Sequence, residues 1–400
     1  MRKLKIALAS ALAVAALGAA SASAEDINIG VLLAFTGPLE KLTPPIAAGA
    51  ELALKQIDEQ GGTKDGNLVA VRDDTACDAT AGANAADRLI NSKKVLALVG
   101  GMCSGETISS ANTVGIPTNT IMISPSSTAP TISALKDNDL VFRTAPSDAY
   151  QGEVLARLLI AKGVKDVAVA YVNNDYGKGL ADTFTAAYKG DGGTVSAVAP
   201  HEEGKADYRA DLGTLAASGS QTLVLIAYAQ GSGETMLRQA LESGDFTQFV
   251  GSDGMISDDL FKGVDAKALD GKMFGTKPGS PDVPGAKVFQ DMAKAAGLDP
   301  TQIYGPEAYD AAFLLGLAIE KNGAKRDGLS KALRDVASPP GEVILPGEWK
   351  KAKDIIDGGG DVNYEGATGP VDFDQNGDVA GYILAETVKD GKWVAEGQAK

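Results

Sequence analysis

Cys103 stands in Gly101-Met102-Cys103-Ser104-Gly105, a G-x-C-x-G string between a β-like run and a helical one. That is the form of a nucleophile elbow, and a cysteine nucleophile needs a thiolate with a base beside it. The base has a single candidate, because His201 is the sole histidine. It lies in His201-Glu202-Glu203, which reads as a solvated loop. Cys77 is the only other cysteine, and the N-terminus described below directs the chain to an oxidising compartment. A disulfide between Cys77 and Cys103 is therefore the expectation, with two separate buried thiols as the alternative. A Cys-dependent hydrolase is left as a remote alternative, and the chain reads as a non-enzyme.

Metal and nucleotide chemistry find even less. No cluster of His or Cys has zinc-ligand spacing. Asp372-Phe373-Asp374-Gln375-Asn376-Gly377 resembles the start of a calcium loop, but Ile383 occupies the twelfth position, where a bidentate Glu belongs. An Asn-Gly turn accounts for the same residues without an ion. Gly177-Lys178-Gly179 and Gly231-Ser232-Gly233 lack the third glycine of a dinucleotide fingerprint, and there is no P-loop. No metal and no cofactor are expected.

What remains is a series of small polar clusters at strand ends. Cys103–Thr107 follows an apolar run at Val95–Val99 and opens a helix. Ser124–Pro130, containing Ser126 and Thr128, follows the run Thr120–Ile123. Backbone N–H groups at a helix start, with hydroxyls nearby, favour an anion such as a carboxylate. Helix capping by Ser and Thr is the plainer alternative. Further along, Tyr176 follows Val167–Val172, Tyr228 ends Thr222–Ala227, and Asp253 follows Phe249–Gly251. Two aromatics and a carboxylate suit an ammonium group, although Asp253 equally suits a turn and Tyr176 simple packing. Hydroxyls in one unit facing an acid in another would hold a zwitterion.

The elements that must position these residues alternate between β-like runs and amphipathic stretches, the grammar of an α/β protein with parallel sheets. One run of βα units spans Ile27–Ile123 and a second spans Tyr150–Gly251, with a changeover around Phe142–Asp148. Pro278, Pro281 and Pro284 mark a breaker-rich crossover. Helices follow at Ala286–Ala296, Pro306–Lys321 and Leu329–Ala337. The stretch Val371–Val394 reads as strands ending in a hairpin at Lys389-Asp390-Gly391-Lys392.

Residues 1–24 read as a secretory signal peptide: three basic residues, an apolar run from Ile6 to Ala20, and Ser21-Ala22-Ser23-Ala24 before Glu25. The remainder is long enough for about two domains. Its 44% hydrophobic content supports a packed core. The net charge of −15 disfavours nucleic acid and anionic membrane surfaces as partners.

Taken in order, Ile29–Pro38, Gly49-Ala50-Glu51, Asp73–Asp78, Cys103-Ser104, Ser124–Pro130, Phe142-Arg143-Thr144, Asp175–Leu180 and Leu237–Ala240 resemble the periplasmic binding proteins of the leucine/isoleucine/valine-binding type, which feed ABC importers. The resemblance covers essentially the whole chain after residue 24. It implies two Rossmann-like lobes joined by three crossing segments: residues 25–145 and 276–365 in lobe 1, residues 146–275 and 366–400 in lobe 2. It implies that Ser104, Ser126 and Thr128 hold an α-carboxylate, that Tyr176 and Tyr228 face the cleft, and that Asp253 receives the α-ammonium. It also implies a Cys77–Cys103 disulfide beside the site. Leu42 departs from the pattern, standing near where branched-chain binders have a tyrosine. The function implied is capture of an aliphatic or branched amino acid by a periplasmic monomer, for delivery to membrane permease subunits. The same fold binding a urea, amide or aromatic acid, or acting as a ligand sensor, is the alternative.

Overall fold

β1 (Ile27–Leu33) buries Ile29, Val31, Leu32 and Leu33 completely, so both of its faces are covered, as befits an inner strand of a parallel sheet. In the computed structural model, which describes residues 26–399, it sits within a five-stranded parallel sheet. The other strands are β2 (Leu68–Asp74), β3 (Ala97–Gly100), β4 (Met122–Ser124) and β5 (Val141–Arg143), in the order β2-β1-β3-β4-β5. Helices α1 (Thr43–Glu59), α2 (Ala79–Asp87) and α3 (Ser104–Ser110) connect them. Pro44 and Pro45 open α1, where a missing N–H removes no helical bond. The expected signal peptide lies outside the described residues.

The second sheet repeats the scheme with β6 (Asp166–Val172), β7 (Thr194–His201), β8 (Thr222–Ile226), β9 (Gln248–Gly251) and β10 (Met273–Pro278), all parallel. Its helices are α4 (Asp148–Ala161), α5 (Asp175–Gly190), α6 (Arg209–Ala216) and α7 (Ser232–Ser243). The chain then returns to the first lobe as α8 (Pro284–Ala295), α9 (Gly305–Asn322), α10 (Leu329–Ala337) and α11 (Trp349–Asp357). With them comes a small sheet of β11 (Glu342–Ile344), β12 (Val362–Gly366) and β13 (Gly369–Pro370). α9 is buried from Gly305 to Glu320 because it packs lengthwise on α1. The two backbones approach so closely that a Cβ on Gly49 would lie 2.3 Å from the carbonyl oxygen of Gly305. Finally β14 (Ile383–Lys389) and β15 (Lys392–Gln398) add an antiparallel hairpin to β10, and Asp390-Gly391 forms its turn.

β10 pairs with β9 as far as Gly275 and with β14 as far as Pro278, so residue 276 lies within a strand. β12 pairs with β13 through Gly366 and Pro370. Three segments outside the sheets and helices, 144–147, 279–283 and 371–382, link elements of the two lobes. Arg143, at the mouth of the first, donates through Nε and Nη2 to Asp378 of the third, at 2.6 and 2.9 Å. Its Nη1 donates to the carbonyl of Ala129 at 3.0 Å, tying the loop after β4 to the same anchor.

Candidate functional site

The carboxyl ends of β3 and β4 face those of β6, β8 and β9 across a small cavity. Ligands in open α/β sheets bind outside such strand ends. Ser104 and Ser126 line one side; Tyr176, Tyr228 and Asp253 line the other. Leu39, Leu42, Met102 and Tyr304 complete it with largely apolar surface.

On the first-lobe side two loops are stitched together. Ser126 Oγ donates to the carbonyl of Met102 at 3.0 Å, and Ser124 Oγ to that of Gly101 at 2.6 Å. Ser104, the first residue of α3, accepts from the Ala129 N–H at 3.1 Å. Beneath them Glu106 is fully enclosed and accepts from the Met102 N–H; burial pushes its carboxyl up to about 7. Cys103 is joined to Cys77, with Cα atoms 5.4 Å apart. Its sulfur is therefore no thiolate, and the elbow-like string is a disulfide-anchored helix start.

On the second-lobe side Tyr176 and Tyr228 stack with ring centroids 5.5 Å apart. Tyr228 accepts from Asn174, the cap of α5, at 3.1 Å. Asp253 heads the turn after β9 and accepts three hydrogen bonds: Tyr176 OH at 2.7 Å and Gln151 Nε2 at 2.9 Å on Oδ1, and Tyr304 OH at 2.6 Å on Oδ2. Burial raises its pKa, and those three donors pull the other way. The next residue must be glycine, because a Cβ on Gly254 would stand 2.5 Å from the Ala227 carbonyl oxygen.

Thr128 is placed differently from the other five expected site residues. It is buried without lining the cavity, and its hydroxyl donates to Asp148 Oδ2 at 2.9 Å. Asp148 is itself enclosed; burial first, and then the charge of Asp253, holds its pKa well above the ordinary carboxyl value. His201 departs from its expected place outright. It is the last residue of β7, only 2% exposed rather than in a solvated loop. Its Nε2 pairs with Ser232 Oγ at 2.9 Å, and burial lowers its pKa to about 4. It lies outside the cavity lining, as does Asp374, which accepts from the N–H groups of Asn376 and Asp378 as a turn residue.

Tyr304, Gln151 and Asp148 were not singled out in the sequence. Tyr304 precedes Gly305-Pro306 at a helix start, an ordinary capping context, and nothing local signals a partner 51 residues away. Gln151 and Asp148 share the first turns of α4, a spacing that sets them on one face. That spacing could have flagged them as a polar pair.

Residues 26–377 match the family model described as periplasmic binding protein. The chain is 30% identical to the leucine-, isoleucine-, valine-, threonine- and alanine-binding protein of Pseudomonas aeruginosa, over 82% of this chain and 87% of that one. It is 28% identical to the Leu/Ile/Val-binding protein of Escherichia coli, over 84% and 89% respectively. Among solved structures, a leucine-binding protein from Thermotoga maritima superposes with a TM-score of 0.79 at 24% identity, covering 94% of this chain and 99% of that one.

Proposed function

The chain belongs to the periplasmic binding protein family, and from that premise we propose that it captures a free α-amino acid with an aliphatic side chain outside the cytoplasm and hands it to the permease of an ABC importer. One observation carries the reading. The cavity sets the carboxylate of Asp253 on one lobe opposite the hydroxyls of Ser104 and Ser126 on the other, with Leu39, Leu42 and Met102 as apolar wall between. An ammonium suits the acid, a carboxylate suits the hydroxyls and the start of α3, and an aliphatic side chain suits the wall. Exclusion of water as the lobes close strengthens each contact. The names of the relatives, which bind leucine, isoleucine and valine, support the same class.

Asp253→Ala should weaken binding of the best aliphatic amino acid more than tenfold by titration calorimetry while the circular dichroism spectrum is unchanged. Unchanged affinity would remove Asp253 from the site. A second reading, an aromatic or other carboxylic acid without an ammonium, draws on the three donors that Asp253 already accepts. A thermal-shift panel of amino acids beside their des-amino acids separates the two readings.

A further inference from the structure

At the end of the first lobe opposite the cleft, where β1 and β3 begin, lies an open groove of about 730 Å³. The loop joining α9 to α10 forms its other wall. Its volume is that of a small-molecule site. Four cations, Lys64, Lys94, Lys325 and Arg326, share it with two carboxylates, Asp26 and Asp65. Asp65 is already engaged, its Oδ2 accepting from the Ala324 N–H at 2.7 Å. A chain with a net charge of −15 therefore gathers an excess of positive charge in one groove.

Arg326 is the informative member. Every other arginine of the described residues has a carboxylate oxygen within 4 Å. Among the described residues Arg326 has none, although it is half-buried. Its Nη1 donates to the Thr118 carbonyl at 3.1 Å and its Nη2 to the Val95 carbonyl at 2.9 Å. Those two bonds fix the guanidinium in place and leave the rest of its N–H groups unspent. Tying two carbonyls together needs donors, not a full charge. A partly buried charge without a counter-charge is unfavourable, and an anion from solution would relieve it. Lys94 and Lys325 are exposed, and among the described residues neither has a carboxylate within 4 Å.

We infer that this groove is a second binding site, separate from the cleft, for a small doubly charged oxyanion of the phosphate type. Arg326, held ready by two carbonyls, donates its remaining N–H groups to the oxyanion, and Lys94 and Lys325 add charge from the rim. Two negative charges balance the excess of cations over acids in the groove. The inference goes beyond the amino-acid reading and does not depend on which solute the cleft takes.

The test is a calorimetric titration of the purified protein with inorganic phosphate at about pH 8, where the anion carries two charges. Sodium chloride holds the ionic strength at about 0.15 M, so that diffuse attraction is screened. Phosphate should fill one saturable site, and acetate, with a single charge, should bind at least tenfold more weakly. Arg326→Gln keeps donors for the carbonyls and removes the charge; it should weaken phosphate at least tenfold. Lys94→Ala/Lys325→Ala should weaken it about tenfold. Both side chains are exposed, so the fold does not depend on them, and this variant carries the test should Arg326→Gln fail to fold. No saturable phosphate binding in the wild type, or binding that either folded variant leaves unchanged, overturns the inference. Equal affinity for acetate overturns the assignment to a doubly charged anion.

Discussion

The Tyr304 hydroxyl, fixed at the start of α9 in the first lobe, donates to Asp253 Oδ2 of the second lobe at 2.6 Å. It is a direct protein-to-protein bond across the cleft, and it exists only while the lobes are together. A hydrogen bond to a charged acceptor contributes about 1.5–3 kcal/mol. Tyr304→Phe keeps the ring against the cavity and deletes the donor, so the closed form should lose about 1.5 kcal/mol, or about tenfold. Stopped-flow displacement should show ligand dissociating about tenfold faster, with the association rate little changed. An unaltered dissociation rate would mean that the bond adds nothing to closure.

Arg143 is fully buried, and its fork is filled by Asp378, Ser133 and the Ala129 carbonyl. It links the first and third crossings to the loop that carries Ser126. A lysine keeps the charge but cannot form the planar, bidentate contact. Each hydrogen bond lost from that charged fork costs about 1.5–3 kcal/mol. Arg143→Lys should therefore lower the urea midpoint by a corresponding amount; a stability within about 1 kcal/mol of wild type would contradict the burial argument.

Strand ends were the legible part of this site. Ser104, Ser126, Tyr176, Tyr228 and Asp253 each follow an apolar run, and such runs are read from composition and length alone. What joins them was not legible: Tyr304 and Gln151 reach Asp253 from 51 and 102 residues away, through contacts that exist only once both lobes have formed. His201 misled because its neighbours Glu202 and Glu203 are acidic, yet as the last residue of β7 it turns inward with the strand's period of two. The small sheet β11–β13 is built from strands of two to five residues, too short for a period to show, and the nine-residue helix α11 beside it was not singled out. Trp349 holds them in place by packing edge-on against Phe313 of α9.

Glu106 couples the loop 101–104 to pH. Its folded-state pKa of about 7 exceeds the ordinary 4.5, so the folded protein holds this proton more tightly than the unfolded chain does. The resulting stability is full below about 4.5 and is lost as pH rises through about 7. Glu307, pushed up to about 8, and Asp310, to about 6, act in the same direction. Melting temperatures should therefore fall between about pH 5.5 and pH 8. Glu106→Gln should make that decline shallower without abolishing it. Parallel curves for the two proteins would show that Glu106 does not titrate in this range.

The disulfide separates stability from binding. Cys77 and Cys103 are 26 residues apart, and closing a loop of that size contributes about 3.5 kcal/mol in the chain-entropy description. The Cys77→Ser/Cys103→Ser double variant should lose about that much in urea unfolding. Cys103 also lines the cavity and precedes Ser104, so a loss of affinity is expected as well. It should stay below about tenfold, because each remaining stitch is worth about 1 kcal/mol and several survive. Ser126 still donates to the Met102 carbonyl, Ser124 to that of Gly101, and Glu106 still holds the Met102 N–H. Calorimetry on the double variant decides the point. If binding disappears while the fold persists, the covalent bond alone shapes the start of α3, and the hydrogen bonds follow from it.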